Sequence, residues 1–257
     1  MEYDDNNPFI WFFLILMMKF SHKLFLLAQD SFITLSGFIS PEIIHNSEKH
    51  SAIKKFLFYK RIEGVSGDYL EFGVYEGTSL KGAVHYWRKI SRGIGLNNNK
   101  MRFFGFDSFK GMKPEKGDDH SFYTNFDFST DIGIIKKRFK NFPEVRLIPG
   151  FFDSSLAKGP EFYGIKKASV VMVDCDLYSS SREVFSFITP LIQPGTVLIL
   201  DDFFNYKADK SKGVRAAFNE FLRSSGVSCE EVSRYGIGGV VFVITNINSK
   251  SDRTVKK

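Results

Sequence analysis

Several things that would narrow the function are scarce or missing in this sequence. There are only two cysteines in 257 residues, Cys175 and Cys229. Both lie in apolar or strand-like surroundings, which excludes a disulfide-built scaffold and points to a reduced, cytoplasmic protein. No G-x-G-x-x-G follows any predicted strand, so the dinucleotide fingerprint is absent. No block of like charge occurs: the net charge of +6 comes from dispersed pairs such as Lys54-Lys55, Lys60-Arg61 and Lys166-Lys167. They read as solvated helix faces and strand ends, and no nucleic-acid signature accompanies them. The one long apolar run, Phe9 to Met18, is about half of what a bilayer crossing needs. An acidic start (Glu2, Asp4, Asp5) and the lack of a small-residue cleavage site exclude a secretory signal. The run is expected to pack on the domain or in a dimer interface. The alternative is a helix lying on a membrane with Lys19 and Lys23 at the headgroups.

Phenylalanine, with 29 copies, is abundant, so core and pocket should be rich in aromatic rings. Ser40 to Gly67 reads as a helical preamble. Strands and helices then alternate: strand Asp68–Val74, helix Gly77–Lys89, strand Arg102–Asp107, a polar loop Lys110–Asp127, helix Ser129–Lys140 and strand Val145–Pro149. There follow strand Ser169–Asp174, helix Ser179–Thr189, strand Thr196–Leu200, helix Lys212–Ser224 and two closing strands, Val227–Val232 and Gly239–Ile244. Repeated β-α units predict an α/β fold with a mostly parallel, doubly wound sheet. Ligands of such sheets bind beyond the carboxyl ends of the strands.

Those ends are informative. The first runs into Glu71-Phe72-Gly73, where a glycine permits close backbone approach; the plain alternative is a tight strand-to-helix turn. The second ends at Asp107, placed to bind ribose hydroxyls or simply to form an Asx turn. The third ends Pro149-Gly150-Phe151-Phe152-Asp153, a possible adenine wall, unless Asp153 merely caps a short helix. The fourth ends Asp174-Cys175-Asp176 and the fifth Asp201-Asp202, each closing an apolar strand. One helical crossover joins them, so Asp174, Asp201 and Asp202 should converge. Crowded carboxylates need protons or a cation, and hard oxygen donors suit Mg²⁺, Mn²⁺ or Ca²⁺. Otherwise Asp176 caps the next helix and Asp201-Asp202 is a solvated turn.

The motifs GDYLEFGVYEGTS, GFDSFKGM, VRLIPGFFDSSL, VDCDLYSSS and LIQPGTVLILDDF, in this order over Ile62 to Gly239, resemble the macrocin O-methyltransferase family. The resemblance implies a Rossmann-like class I methyltransferase with a seven-stranded sheet, helices on both faces and an N-terminal helical extension. It implies S-adenosylmethionine as methyl donor, near Glu71, Gly73, Ser79, Asp107, Ser108, Gly150 and Phe151. It further implies Mg²⁺ on Asp174, Asp201 and Asp202, Asp176 as general base, and a homodimer. The acceptor would be a small hydroxylated molecule, a sugar in this family. The expected organisation is an extension over 1–60, a methyltransferase domain over 61–246 and a disordered tail over 247–257. Departures are Cys175 where the family often has glycine, and DSFKGMKP, which moves a proline to Pro114. His120, Tyr123 and Phe126 of the long loop are acceptor-side candidates, His120 being read first as a solvated loop residue. Two other readings are a relative of the cephalosporin hydroxylase and rhamnosyl methyltransferase group, and a non-catalytic, membrane-associated scaffold.

Overall fold

The computed structural model describes residues 8–93, 100–115, 118, 120, 122–123 and 128–247, with side-chain surroundings from residue 19 onward. The expected disordered tail, Phe126 and the side chains of Phe9 to Met18 lie outside the described residues. The chain divides into two units, Met1–Ile44 and His45–Lys257.

The first unit is built on helix α1 (Pro8–Ser36), followed by the start of α2 (Pro41–Ile62). Phe20, Leu24, Phe25, Phe32 and Phe38 are exposed. Among the described residues no single helix is long and apolar enough to cross a membrane.

The second unit holds a seven-stranded sheet in the order β3-β2-β1-β4-β5-β7-β6. The strands are β1 (Asp68–Phe72), β2 (Phe103–Asp107), β3 (Val145–Pro149), β4 (Ala168–Val173), β5 (Val197–Leu200), β6 (Val227–Tyr235) and β7 (Gly239–Ile247). The first five are parallel, and β7 enters antiparallel to β5 because a hairpin joins it to β6. Side chains alternate across the sheet. Leu70, Phe72, Phe104, Phe106, Val171, Val173, Leu198 and Leu200 feed one core, while Tyr69, Phe103, Val170, Met172, Val197 and Ile199 feed the other. Each face therefore needs a helical layer, and the helix patterns supply it. Helix α3 (Thr78–Gly93) buries Leu80, Ala83, Val84 and Trp87 on one face, and α6 (Gly213–Ser225) buries Val214, Ala217, Phe218 and Phe221 on the other. Helix α5 (Tyr178–Ile188) packs Val184, Phe185 and Ile188 beside α6. Gly226, left-handed at φ 72°, ends α6.

Two expectations change. Helix α4 covers only Ile132–Arg138, because Asp131 caps it through Gly133 N at 2.6 Å and Ser129 instead pairs with Lys110. The Lys60-Arg61 pair is not a solvated face. Both are buried, since α2 turns Lys49, Ala52, Ile53, Phe56, Leu57 and Lys60 inward at helical spacing.

Candidate active site

Beyond the carboxyl ends of β4 and β5 the apolar strands stop and four aspartates begin. Val173 pairs with Leu200 across these strands, so the residues that follow, Asp174 and Asp201, emerge side by side. Oxygens of Asp174, Asp176 and Asp202 lie within 4.8 Å of one another. Asp176 reaches this position from a left-handed backbone, φ 60°, which a non-glycine residue holds at some cost. It does not cap α5. That helix receives Asp118 from the long loop, whose carboxylate accepts from Ser179 N at 3.3 Å and Ser179 Oγ at 2.5 Å.

Asp201 is held differently. Its Oδ1 accepts from Tyr235 Oη at 2.7 Å, and its Oδ2 meets Lys49 Nζ at 2.6 Å and His45 Nε2 at 3.2 Å. His45 Nδ1 accepts from Ile237 N at 3.1 Å, so the ring proton sits on Nε2 and points at Asp201. Lys49 Nζ also reaches Asp174 Oδ2 at 2.9 Å. Asp202 Oδ1 accepts from Asn205 Nδ2 at 2.6 Å and Tyr123 Oη at 3.1 Å. Its Oδ2 is buried and receives no hydrogen bond from a hydroxyl, amide or amine among the described residues; Asp202 instead shares a hydrogen bond with the Asp176 carboxyl.

The electrostatics follow from this packing. Burial, then the Asp201 charge, pushes the Asp174 carboxyl well up, with Lys49 opposing. Burial, then the charges of Asp176 and Asp201, does the same to Asp202. Burial raises Asp176 to about 6. Burial also works against ionisation of Asp201, but the Lys49 charge and the His45 hydrogen bond outweigh it and hold its carboxyl below the usual range. Four carboxylates thus share one lysine, and the crowding disfavours full ionisation.

The other half of the rim lies at β1, β2 and β3. Gly73 takes φ 91°, and a Cβ there would stand 1.7 Å from the Asp174 carbonyl oxygen, so β4 is the close neighbour that demands glycine. Asp107 forms the Asx turn, Oδ1 accepting from Phe109 N at 2.7 Å, while Oδ2 gathers Val74 N and Tyr75 N, each at 2.7 Å. Glu71 is fully buried, bound to Ser79 Oγ and Tyr69 Oη at 2.7 Å each, and burial raises its carboxyl to about 7. Glu71 and Ser79 are therefore engaged with each other beneath the loop. Ser108 Oγ donates to the Gly111 carbonyl at 2.8 Å, closing the next turn. Gly150, at φ 146°, donates its N–H to the Asp107 carbonyl at 2.9 Å, with half-buried Phe151 beside it. Asp153 is inside the short helical turn Phe152–Ser155, not its cap, and pairs with Lys113 at 2.8 Å.

Four contributors escaped sequence reasoning: His45, Lys49, Asn205 and Tyr235. The two on α2 carry a readable signal, because Lys49 falls three residues before Ala52 on an otherwise apolar helix face. Tyr123, foreseen in the long loop, is buried against Asp202. His120 is packed, with ring centroids 4.6 Å from Tyr123 and 4.7 Å from Tyr206, and is no solvated loop residue.

Residues 48–242 match the macrocin-O-methyltransferase family (TylF). The chain belongs to this family. It is accordingly an S-adenosylmethionine-dependent O-methyltransferase. Among its relatives is a mycinamicin III 3''-O-methyltransferase of Micromonospora griseorubida, 26% identical over 190 residues, with 68% of each chain covered. Another is the 8-demethyl-8-(2,3-dimethoxy-alpha-L-rhamnosyl)-tetracenomycin-C 4'-O-methyltransferase of Streptomyces olivaceus, 27% identical over 200 residues, covering 74% of this chain and 70% of that one. The structure of the O-methyltransferase NovP shares the fold, with a TM-score of 0.61 at 22% identity, over 77% of this chain and 80% of that one.

Proposed function

We propose that this enzyme methylates a sugar hydroxyl of a glycosylated small molecule, with a divalent cation seated on the β4–β5 carboxylates. The observation that carries the proposal is the convergence of Asp174, Asp176 and Asp202, with Asp202 Oδ2 buried and, among the described residues, facing only another carboxyl, that of Asp176. Buried carboxylates crowded this closely cost free energy unless protons or a cation bind them, and the donor set is all hard oxygen. The residues present fit such a cation. Asp174 and Asp202 would hold it, with Asp176 beside them and Asp201, here held by Lys49, His45 and Tyr235, as third ligand once freed. The relatives' named acceptors, both sugar positions of natural products, support a glycoside.

S-adenosylmethionine, bound near Gly73, Asp107, Ser108, Gly150 and Phe151, would supply an electrophilic methyl. The cation would lower the pKa of an acceptor hydroxyl and offset developing alkoxide charge. The protein's part is positioning and proton transfer. Asp107 fixes the Val74–Tyr75 turn, and Glu71 with Ser79 anchors the loop from beneath. Tyr123 stays a phenol, its pKa raised by burial and then by Asp202, so it donates to Asp202 and orients it. Asp176 stands where a hydroxyl proton could be received. We further assign residues 1–60 to an extension and 61–246 to the methyltransferase domain, acting as a homodimer.

The test is methyl transfer to a panel of rhamnosides, amino-sugar glycosides and catechols, with and without EDTA. Glycoside turnover that stops in EDTA and returns with Mg²⁺ is expected. Full turnover in excess chelator would sink the metal, and turnover of catechols alone would sink the sugar.

A further inference from the structure

Lys49 is 8% exposed, and its ammonium touches two carboxylates that belong to two different strand ends. Both contacts are ion pairs, Nζ lying 2.9 Å from Asp174 Oδ2 and 2.6 Å from Asp201 Oδ2. One turn earlier, His45 donates to the same Asp201 oxygen. Asp201 is thereby turned to α2 and Tyr235, whereas the oxygens of Asp174, Asp176 and Asp202 cluster without it. A cation on Asp174 and Asp201 would draw on carboxylates whose Oδ2 atoms the ammonium now contacts, and the second oxygen of Asp201 is already taken by Tyr235. Two cations cannot share those oxygens without strong repulsion.

We propose that Lys49 is a resident counter-ion that competes with the divalent cation for Asp174 and Asp201, and leaves them when the cation binds. This rests on the metal reading above. The role is one of positioning: Lys49 keeps the crowded carboxylates in place in the metal-free protein and sets the affinity of the site by resisting displacement. Because Lys49 and His45 share a helix, metal loading is transmitted to α2. Glu48, between them, accepts from Gly236 N and extends the same link to the β6–β7 turn.

The test uses the full chain and Mn²⁺, with free Mn²⁺ read by electron paramagnetic resonance. Lys49→Met is expected to bind Mn²⁺ at least tenfold more tightly than the wild type, and Lys49→Arg to stay near the wild type. Mn²⁺ affinity in Lys49→Met equal to or weaker than wild type would overturn the proposal, making Lys49 part of the scaffold that presents the ligands. Absence of Mn²⁺ uptake by every variant would overturn the metal reading and this inference with it. A second measurement needs no variant: acetylation of Lys49 in the wild type, followed by mass spectrometry, should rise when EDTA is replaced by Mg²⁺. Unchanged labelling counts against displacement.

Discussion

Helix α2 carries two buried lysines about three turns apart on one face, and they meet opposite fates. Lys49 ends between Asp174 and Asp201, and its pKa rises in spite of burial. Lys60 ends 4.3 Å above the Trp87 ring with no hydrogen-bond acceptor for Nζ among the described residues, and burial lowers its pKa to about 8. Both are buried. What differs is the charge each one sees. Burial alone therefore says nothing about a role at the site; a buried cation belongs to the chemistry only where anionic groups hold it charged. At the Lys60 end the face is aromatic and structural, and at the Lys49 end it is acidic and converges on the strand ends.

The largest effect should come from breaking the acidic end. Lys49→Met leaves two buried carboxylates without their cation, and loss of one partner of a buried pair costs about 3–5 kcal/mol. Denaturation in EDTA should show that loss, and saturating Mn²⁺ should recover most of it. Equal stability of variant and wild type in EDTA would erase the distinction between the two lysines.

Glu71 supplies an intermediate case, a buried acid whose direct partners are hydroxyl groups. Its carboxyl rises from an ordinary 4.5 to about 7, with burial as the main cause. The folded protein thus keeps a proton that the unfolded chain has released, and stability falls as pH climbs from about 4.5 to 7. Glu71→Gln removes that slope and can still bond Ser79 and Tyr69. The variant should match the wild type near pH 4 and exceed it by about 3 kcal/mol above pH 7, at 1.36 kcal/mol per unit. Parallel stability curves across this window would show that Glu71 is ionised in the fold.

The strand ends were legible in the sequence for the same reason the lysines were not. Asp174, Asp176, Asp201 and Asp202 interrupt runs of apolar residues, and alternation of strands and helices predicts which edge they share. The seven strands and their mostly parallel arrangement match the family resemblance. Partners from outside the β-α units carry no such punctuation. Tyr235 closes strand β6 and Asn205 sits in a turn, and what each reaches depends on tertiary packing. Lys60 reads as solvated, and Lys49 draws no notice, because lysine is rarely buried. Only their register with Ala52, Ile53, Phe56 and Leu57 reveals which way they point. The Asp201 carboxylate illustrates the limit: its place at the rim follows from strand pairing, but its engagement by α2 follows from a helix docked from far away in sequence.

The smallest expected effect has the opposite sign from the first. Lys60 must be charged at neutral pH without a hydrogen-bonded anion, so its amine destabilises the fold. Its pKa falls from 10.5 to about 8, so the folded protein loses the proton before the unfolded chain does, and stability rises as pH goes from about 8 to 10.5. Lys60→Met, which keeps the stem over Trp87, should stabilise the protein at pH 7 by about 1–3 kcal/mol, short of the full shift because the cation–π contact with Trp87 is lost with the amine. The gain should vanish above pH 10.5, where both states have lost the proton. Mn²⁺ affinity should not move, since no carboxylate of the site touches this lysine. A destabilised Lys60→Met would mean that the cation–π contact outweighs desolvation, and the two ends of α2 would then differ in partner but not in sign.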